Sequence, residues 1–147
     1  MVRIDGATGV HSGRINGFYE PIEEIVGRAS VYRKVDDADT WIEYFESSGK
    51  WFLKSTSSRG KNIGFARASI SPPKPLEECP LSCWQVGDGT KWVQQSTLTV
   101  STTTMAAYEA FEAAKVISTY YIQYIMYYVL LLLLLLLLLL LLLLLLL

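Results

Sequence analysis

Short runs of apolar and aromatic residues, each broken by turn-forming residues, occupy the first hundred positions. Residues 2–5, 15–19, 31–35, 41–46, 50–55, 63–69, 83–86, 91–93 and 97–100 are rich in β-branched and aromatic side chains. Between them lie 6–13, Glu46-Ser-Ser-Gly49, Ser57-Ser-Arg-Gly60, 71–75 and Gly87-Asp-Gly89, all dominated by glycine, serine, proline or aspartate. Strands this short, so regularly punctuated, predict an all-β small domain: a barrel or sandwich of about eight short strands. Residues 21–26 suit a single helical turn, and no longer helical period occurs before residue 100. Only four leucines occur before residue 130.

Two of the turns have a mechanical reading. Gly49 falls at the left-handed position of a three-residue hairpin loop between Trp41-Ile-Glu-Tyr-Phe45 and Trp51-Phe-Leu53. Gly87-Asp-Gly89 can supply positive φ in the same way between Trp84-Gln-Val86 and Lys91-Trp-Val93.

The pattern then changes. Ser101-Thr-Thr-Thr104 is a polar joint and a plausible helix N-cap, followed at 105–115 by five alanines with Glu109, Glu112 and Lys115. No proline or glycine interrupts the chain from there to Leu147, so one C-terminal hydrophobic α-helix is expected. The organisation is a β-rich head at 1–100, an alanine-rich stem at 101–115 and a leucine segment at 116–147. Residues 116–147 carry no charge over 32 positions, and the last 18 are all leucine. About 20 apolar residues cross a bilayer, and 18 leucines favour insertion by roughly 9 kcal/mol. Tyr120, Tyr121, Tyr124, Tyr127 and Tyr128 precede the leucines where an interfacial aromatic belt would lie. Since the chain opens without the apolar run of a signal peptide, the expected topology is a tail anchor with a cytosolic head. A leucine-only tract is also low in complexity, and a repeat artefact is the competing explanation.

Composition changes this picture little once the tract is set aside. All 27 charged residues lie in the first 115, an ordinary proportion for a soluble domain, and the net charge is −1. No global field recruits nucleic acid. The charges are nevertheless segregated. Asp36, Asp37, Asp39, Glu43 and Glu46 form an acidic run, and Lys50, Lys54, Arg59, Lys61, Arg67 and Lys74 follow without an acid among them. The two runs either pair across neighbouring strands or present a basic face to an anionic lipid, an acidic protein or a phosphate.

Candidate chemistry is sparse. Cys79 and Cys83 with the single His11 fall short of the four ligands of a structural zinc site, and free thiols suit a cytosolic head. Gly6-Ala-Thr-Gly9 lacks the βαβ context of a dinucleotide loop and reads as a β turn. His11 has no spacing to a nucleophile and an acid that would make a triad. No catalytic, cofactor-binding or metal-binding residue is expected. The possible ligand surface combines the bases Arg59, Lys61 and Arg67 with Trp41, Trp51, Trp84 and Trp92, aromatic rings that serve either as core or as a sugar or peptide platform.

Ile15-Asn-Gly-Phe-Tyr19-Glu-Pro, Val31-Tyr-Arg-Lys34, Trp41, Trp51, Arg59-Gly60-Lys61 and Trp84-Gln-Val-Gly-Asp-Gly89 together resemble an uncharacterised β-rich module of algal, oomycete and other protist proteins. The resemblance covers residues 2–100. It implies an accessory or interaction unit and transfers no catalytic residue. The function expected is a non-enzymatic, membrane-tethered interaction module; the alternative is a soluble carbohydrate- or peptide-binding module.

Overall fold

The computed structural model describes residues 1–70 and 74–146. Its strands are β1 (Val2–Asp5), β2 (Gly17–Val26), β3 (Ala29–Lys34), β4 (Thr40–Phe45), β5 (Lys50–Ser55), β6 (Ala66–Ser69), β7 (Trp84–Gly87), β8 (Trp92–Gln94) and β9 (Thr99–Thr102). A one-turn helix, α1 (Ser12–Ile15), separates β1 from β2, and α2 (Met105–Leu145) follows β9. The nine strands form one curled antiparallel sheet, a half-barrel, in the order β8-β7-β6-β5-β4-β3-β2-β1-β9. Seven pairs of strands consecutive in sequence are neighbours in space, and β9 returns across the chain to pair with β1.

Alternation along each strand decides what the sheet covers. Ile42 and Tyr44 of β4 stand opposite Leu53 and Trp51 of β5. These four join Val2, Ile4, Tyr19, Ala66, Ala68, Trp84 and Val86 in one buried cluster. Aromatic rings take the place of the scarce leucines: Tyr44 and Trp51 meet edge to face, their centroids 5.4 Å apart. Leu76 and Cys79, from the 3-10 turn Leu76–Glu78 and its end, belong to the same cluster, as do Ala7, Ile15, Phe65 and Leu98.

Two local expectations needed the tertiary structure to correct them. Residues 21–26, read as a helical turn, continue β2. Pairing with β3 captures them, and a register shift between Pro21 and Ile25 absorbs the proline that cannot donate to the ladder. Residues 12–15, by contrast, close a helical turn before β2 begins. The Tyr19 hydroxyl donates to the Arg14 and Ile15 carbonyls at 3.0 and 2.7 Å, and Lys34 Nζ donates to the Gly13 carbonyl at 2.8 Å. These side-chain donors satisfy carbonyls that so short a helix leaves open.

The glycine-rich stretch after β1 has a structural task. A Cβ on Gly6 would stand 2.0 Å from the Thr97 carbonyl oxygen, so only glycine permits the approach. There Thr97 Oγ1 donates to the Gly6 carbonyl, and the Gln95 amide both accepts from Thr8 N–H and donates to Thr8 C=O. These bonds tie the chain between β8 and β9 to the loop after β1. Gly49 adopts φ 62°, ψ 40°, the left-handed turn conformation expected of it.

The chain divides into two units, one ending at Met105 and the other beginning at Ala106. α2, all of which but Met105 lies in the second unit, runs for 41 residues without a buried side chain, about 60 Å of helix. It is long and apolar enough to cross a membrane.

Candidate functional site

The face of the sheet turned away from the core is lined by cations and aromatic rings in alternation. Arg33 lies over the Trp41 ring at 5.8 Å, and Arg59 covers the same ring at 4.2 Å. Arg67 stacks on Trp92 at 4.2 Å while its Nε donates to Gln85 at 2.8 Å. Glu20 pairs with Arg33, its register partner, at 3.1 Å.

At the centre of this face two charges are buried. Lys54 is 0% and Glu43 2% exposed, 3.3 Å apart between Nζ and Oε2. They are covered by the strap after β5, which opens with the 3-10 turn Thr56–Ser58. Lys54 Nζ donates to the Lys61 carbonyl at 2.6 Å, Gly60 N–H donates to Glu43 at 3.1 Å, and Arg59 Nε donates to Glu43 at 2.5 Å. Arg59 then reaches Glu24 of β2 at 2.6 Å. Burial works against the Glu43 carboxylate, but Arg59, Gly60 N–H and Lys54 outweigh it, so its pKa is lowered. Burial lowers the pKa of Lys54, with Glu43 opposing. Hydrogen bonding to Glu24 heads the causes that raise Arg59 further. This arrangement is a neutralised lock between sheet and strap.

The residues expected to form a ligand surface therefore divide. Trp51 and Trp84 are 1% and 0% exposed; their strand positions face the core. Trp41 is half-buried, its Nε1 donating to Thr56 at 2.8 Å, between two guanidinium groups. Arg59 is engaged by two carboxylates, and Arg67 by Gln85 and Trp92. Lys61 is exposed and donates to the Ser57 carbonyl at 2.9 Å. Glu43, Lys54 and Arg59 realise the cross-strand pairing of the acidic and basic runs. Lys74 lies apart, in a shallow pocket with Arg28, Ser30, Tyr32 and Trp51.

Trp92 alone of the tryptophans borders a cleft without another core role. The cleft, about 230 Å³, is lined by His11, Gly64, Phe65, Gly87, Gly89, Thr90, Lys91 and Trp92. His11 stands 5.7 Å from the Phe65 ring, centroid to centroid, and Arg14 lies 5.1 Å from that ring's centre. Among the described residues no acidic side chain lines it. Next to it, Asp88 Oδ1 accepts from Thr90 N–H, Thr90 Oγ1 and Lys91 N–H. The Lys91 and Thr90 amides and the Thr90 hydroxyl hold the Asp88 pKa down at about 2. Sequence spacing marks the Gly87–Gly89 turn and Trp92, but it carries no sign that Phe65 and His11 meet them. Cys79 and Cys83 are free thiols, and burial pushes Cys79 up to about 12. Among the described residues no cluster of three or more His, Cys, Asp or Glu could hold a metal ion.

No protein-family model matches the chain, and no curated protein or solved structure matches it either.

Proposed function

We propose that this chain is a membrane-tethered, non-catalytic interaction module, with the half-barrel as the partner-binding head and α2 as the anchor. The observation that carries this reading is α2: its described residues from 116 onward bear no charge and are all exposed. So much apolar surface is costly in water and favourable in hydrocarbon. Support for a non-catalytic head comes from its charges. Glu43 and Glu24 are held in ion pairs by Arg59 and Lys54, and His11 sits in a cleft lined by no acid. The cytosolic orientation of the head, and its kinship with the protist module, belong to the same proposal.

An N-terminally tagged chain and its 1–115 truncation, expressed in cells and extracted with alkaline carbonate, test it. Retention of only the longer chain in the membrane pellet is the expected result. Protection of the tag from protease in sealed vesicles reads the side on which the head lies. Release of both chains would favour the soluble carbohydrate- or peptide-binding alternative.

A further inference from the structure

The β7–β8 hairpin carries a glycine that the fold does not require. Gly87 stands between Trp92, its register partner across the hairpin, and Phe65, whose carbonyl accepts the Gly87 N–H at 2.9 Å. Its φ lies outside the left-handed range, and a Cβ there would meet only the Phe65 carbonyl oxygen at 3.7 Å, an ordinary contact. Gly64 is different, because a Cβ there would lie 2.3 Å from the Leu53 carbonyl oxygen. What the missing side chain at Gly87 leaves is the cleft itself, a gap in a row that runs from Phe65 to Trp92. Filling a strand position between two aromatic rings would ordinarily add buried apolar area. The gap forgoes it.

The chemistry around the gap is specific. One side of Trp92 is occupied by the Arg67 guanidinium, while the residue also lines the cleft. Lys91 is exposed and belongs to none of the ion pairs of the described residues. Arg14 and Arg67 flank the cleft behind Phe65 and Trp92, though Arg14 is paired with Asp39 at 2.8 Å. The nearby acid, Asp88, has Oδ1 occupied by three donors of its own turn. The balance of charge is positive, the walls are aromatic, and His11 and Thr90 are the polar side chains that line the cleft beside Lys91.

We propose that this cleft binds an anionic pyranose, a uronic acid residue, with its C–H face on Trp92, its carboxylate toward Lys91 and its hydroxyls on His11 and Thr90. Aromatic faces receive sugar rings, and a few placed polar groups set specificity. An aromatic carboxylate would use the rings and Lys91 but make no use of His11 and Thr90, and inorganic phosphate would use Lys91 alone. The proposal goes beyond tethering and holds whether or not α2 enters a bilayer.

The test is a titration of the full chain in detergent micelles with sodium galacturonate, read from the Trp92 indole N–H resonance, which Trp92→Phe identifies. Galactose, benzoate and inorganic phosphate are the comparison arms. Saturable galacturonate binding is expected, about tenfold or more tighter than galactose, with phosphate and benzoate weaker than galacturonate. Gly87→Val should abolish it with the β-sheet circular dichroism intact, and Lys91→Gln should weaken it about tenfold. If Gly87→Val does not fold, Lys91→Gln and the galactose arm decide. Absence of saturation, equal binding of phosphate or benzoate, or unchanged binding by folded Gly87→Val would each overturn the proposal. Carbonate extraction reads the tether separately, so either idea can fail alone.

Discussion

Glu43 and Lys54 show how much one residue's surroundings decide. Both belong to strands with aromatic neighbours, and both are closed off from water, yet the pair persists because each charge has further hydrogen bonds from the strap. Removing one partner from such a pair leaves the other buried and uncompensated. Glu43→Gln is therefore expected to destabilise the head by about 3–5 kcal/mol, read from thermal or urea unfolding of the solubilised chain. Acid should act in the same direction. Because folding lowers the Glu43 pKa, its contribution is complete above the reference value of 4.5 and is lost as pH falls through the lowered value. The acid limb of a stability-against-pH curve should flatten in Glu43→Gln, and an unchanged limb would assign acid sensitivity elsewhere. Arg28 is the opposite case. It takes φ 66° at the β2–β3 turn, and its ion pair with Glu46 joins side chains 79% and 50% exposed. An exposed pair contributes little, whereas a non-glycine residue in this region costs about 1–2 kcal/mol. Arg28→Gly should raise the melting temperature; a fall would mean that the Glu46 pair outweighs the strain.

At the scale of elements, the strap after β5 is the part with no periodic signature. Nothing in Thr56-Ser-Ser-Arg-Gly-Lys61 announces that it crosses the outer face of β4; the Arg59 contacts to Glu43 and Glu24, with the Gly60 and Lys61 backbone bonds to Glu43 and Lys54, place it there. Arg59→Ala should cost about 1.5–3 kcal/mol, the range for hydrogen bonds to charged groups. Amide exchange should quicken at 56–61 and stay slow in β4 and β5; uniform protection would show that the strap is held by its backbone alone. The strands were far more legible. All nine observed strands overlap the nine stretches singled out by β-branched and aromatic content, and β1 and β5 coincide with theirs in both bounds. Misjudged were 21–26 and 12–15, where strand pairing and the donors Tyr19 and Lys34 overrule local preference. The candidate cleft was half legible. Trp92 and the Gly87–Gly89 turn stand out in the sequence, but so do Trp51 and Trp84, since which face of a strand meets the core depends on curl and register.

For the whole molecule the decisive contrast is between a head that buries its aromatic residues and a helix that buries none. The leucines contribute roughly 9 kcal/mol toward insertion, and one lysine near a helix centre costs about 3 kcal/mol. Leu138→Lys alone should leave the chain in the carbonate pellet. Lysines at 134, 138 and 142 together should bring insertion near zero and release a large fraction. Full retention of the triple variant would require contacts to other membrane proteins.

Strand positions, the Gly49 turn, the alanine-rich start of α2 and a charge-free segment long enough for a bilayer were all written into local residue patterns. They depend on preferences and periods that act within a few positions, and these need no partner. The closing of β9 onto β1, the division of four tryptophans into core and surface, the burial of Glu43 beneath its strap and the meeting of His11 and Phe65 with the β7–β8 hairpin are different. Each joins residues distant along the chain, and each was decided by how the sheet curls and which face its strands turn inward.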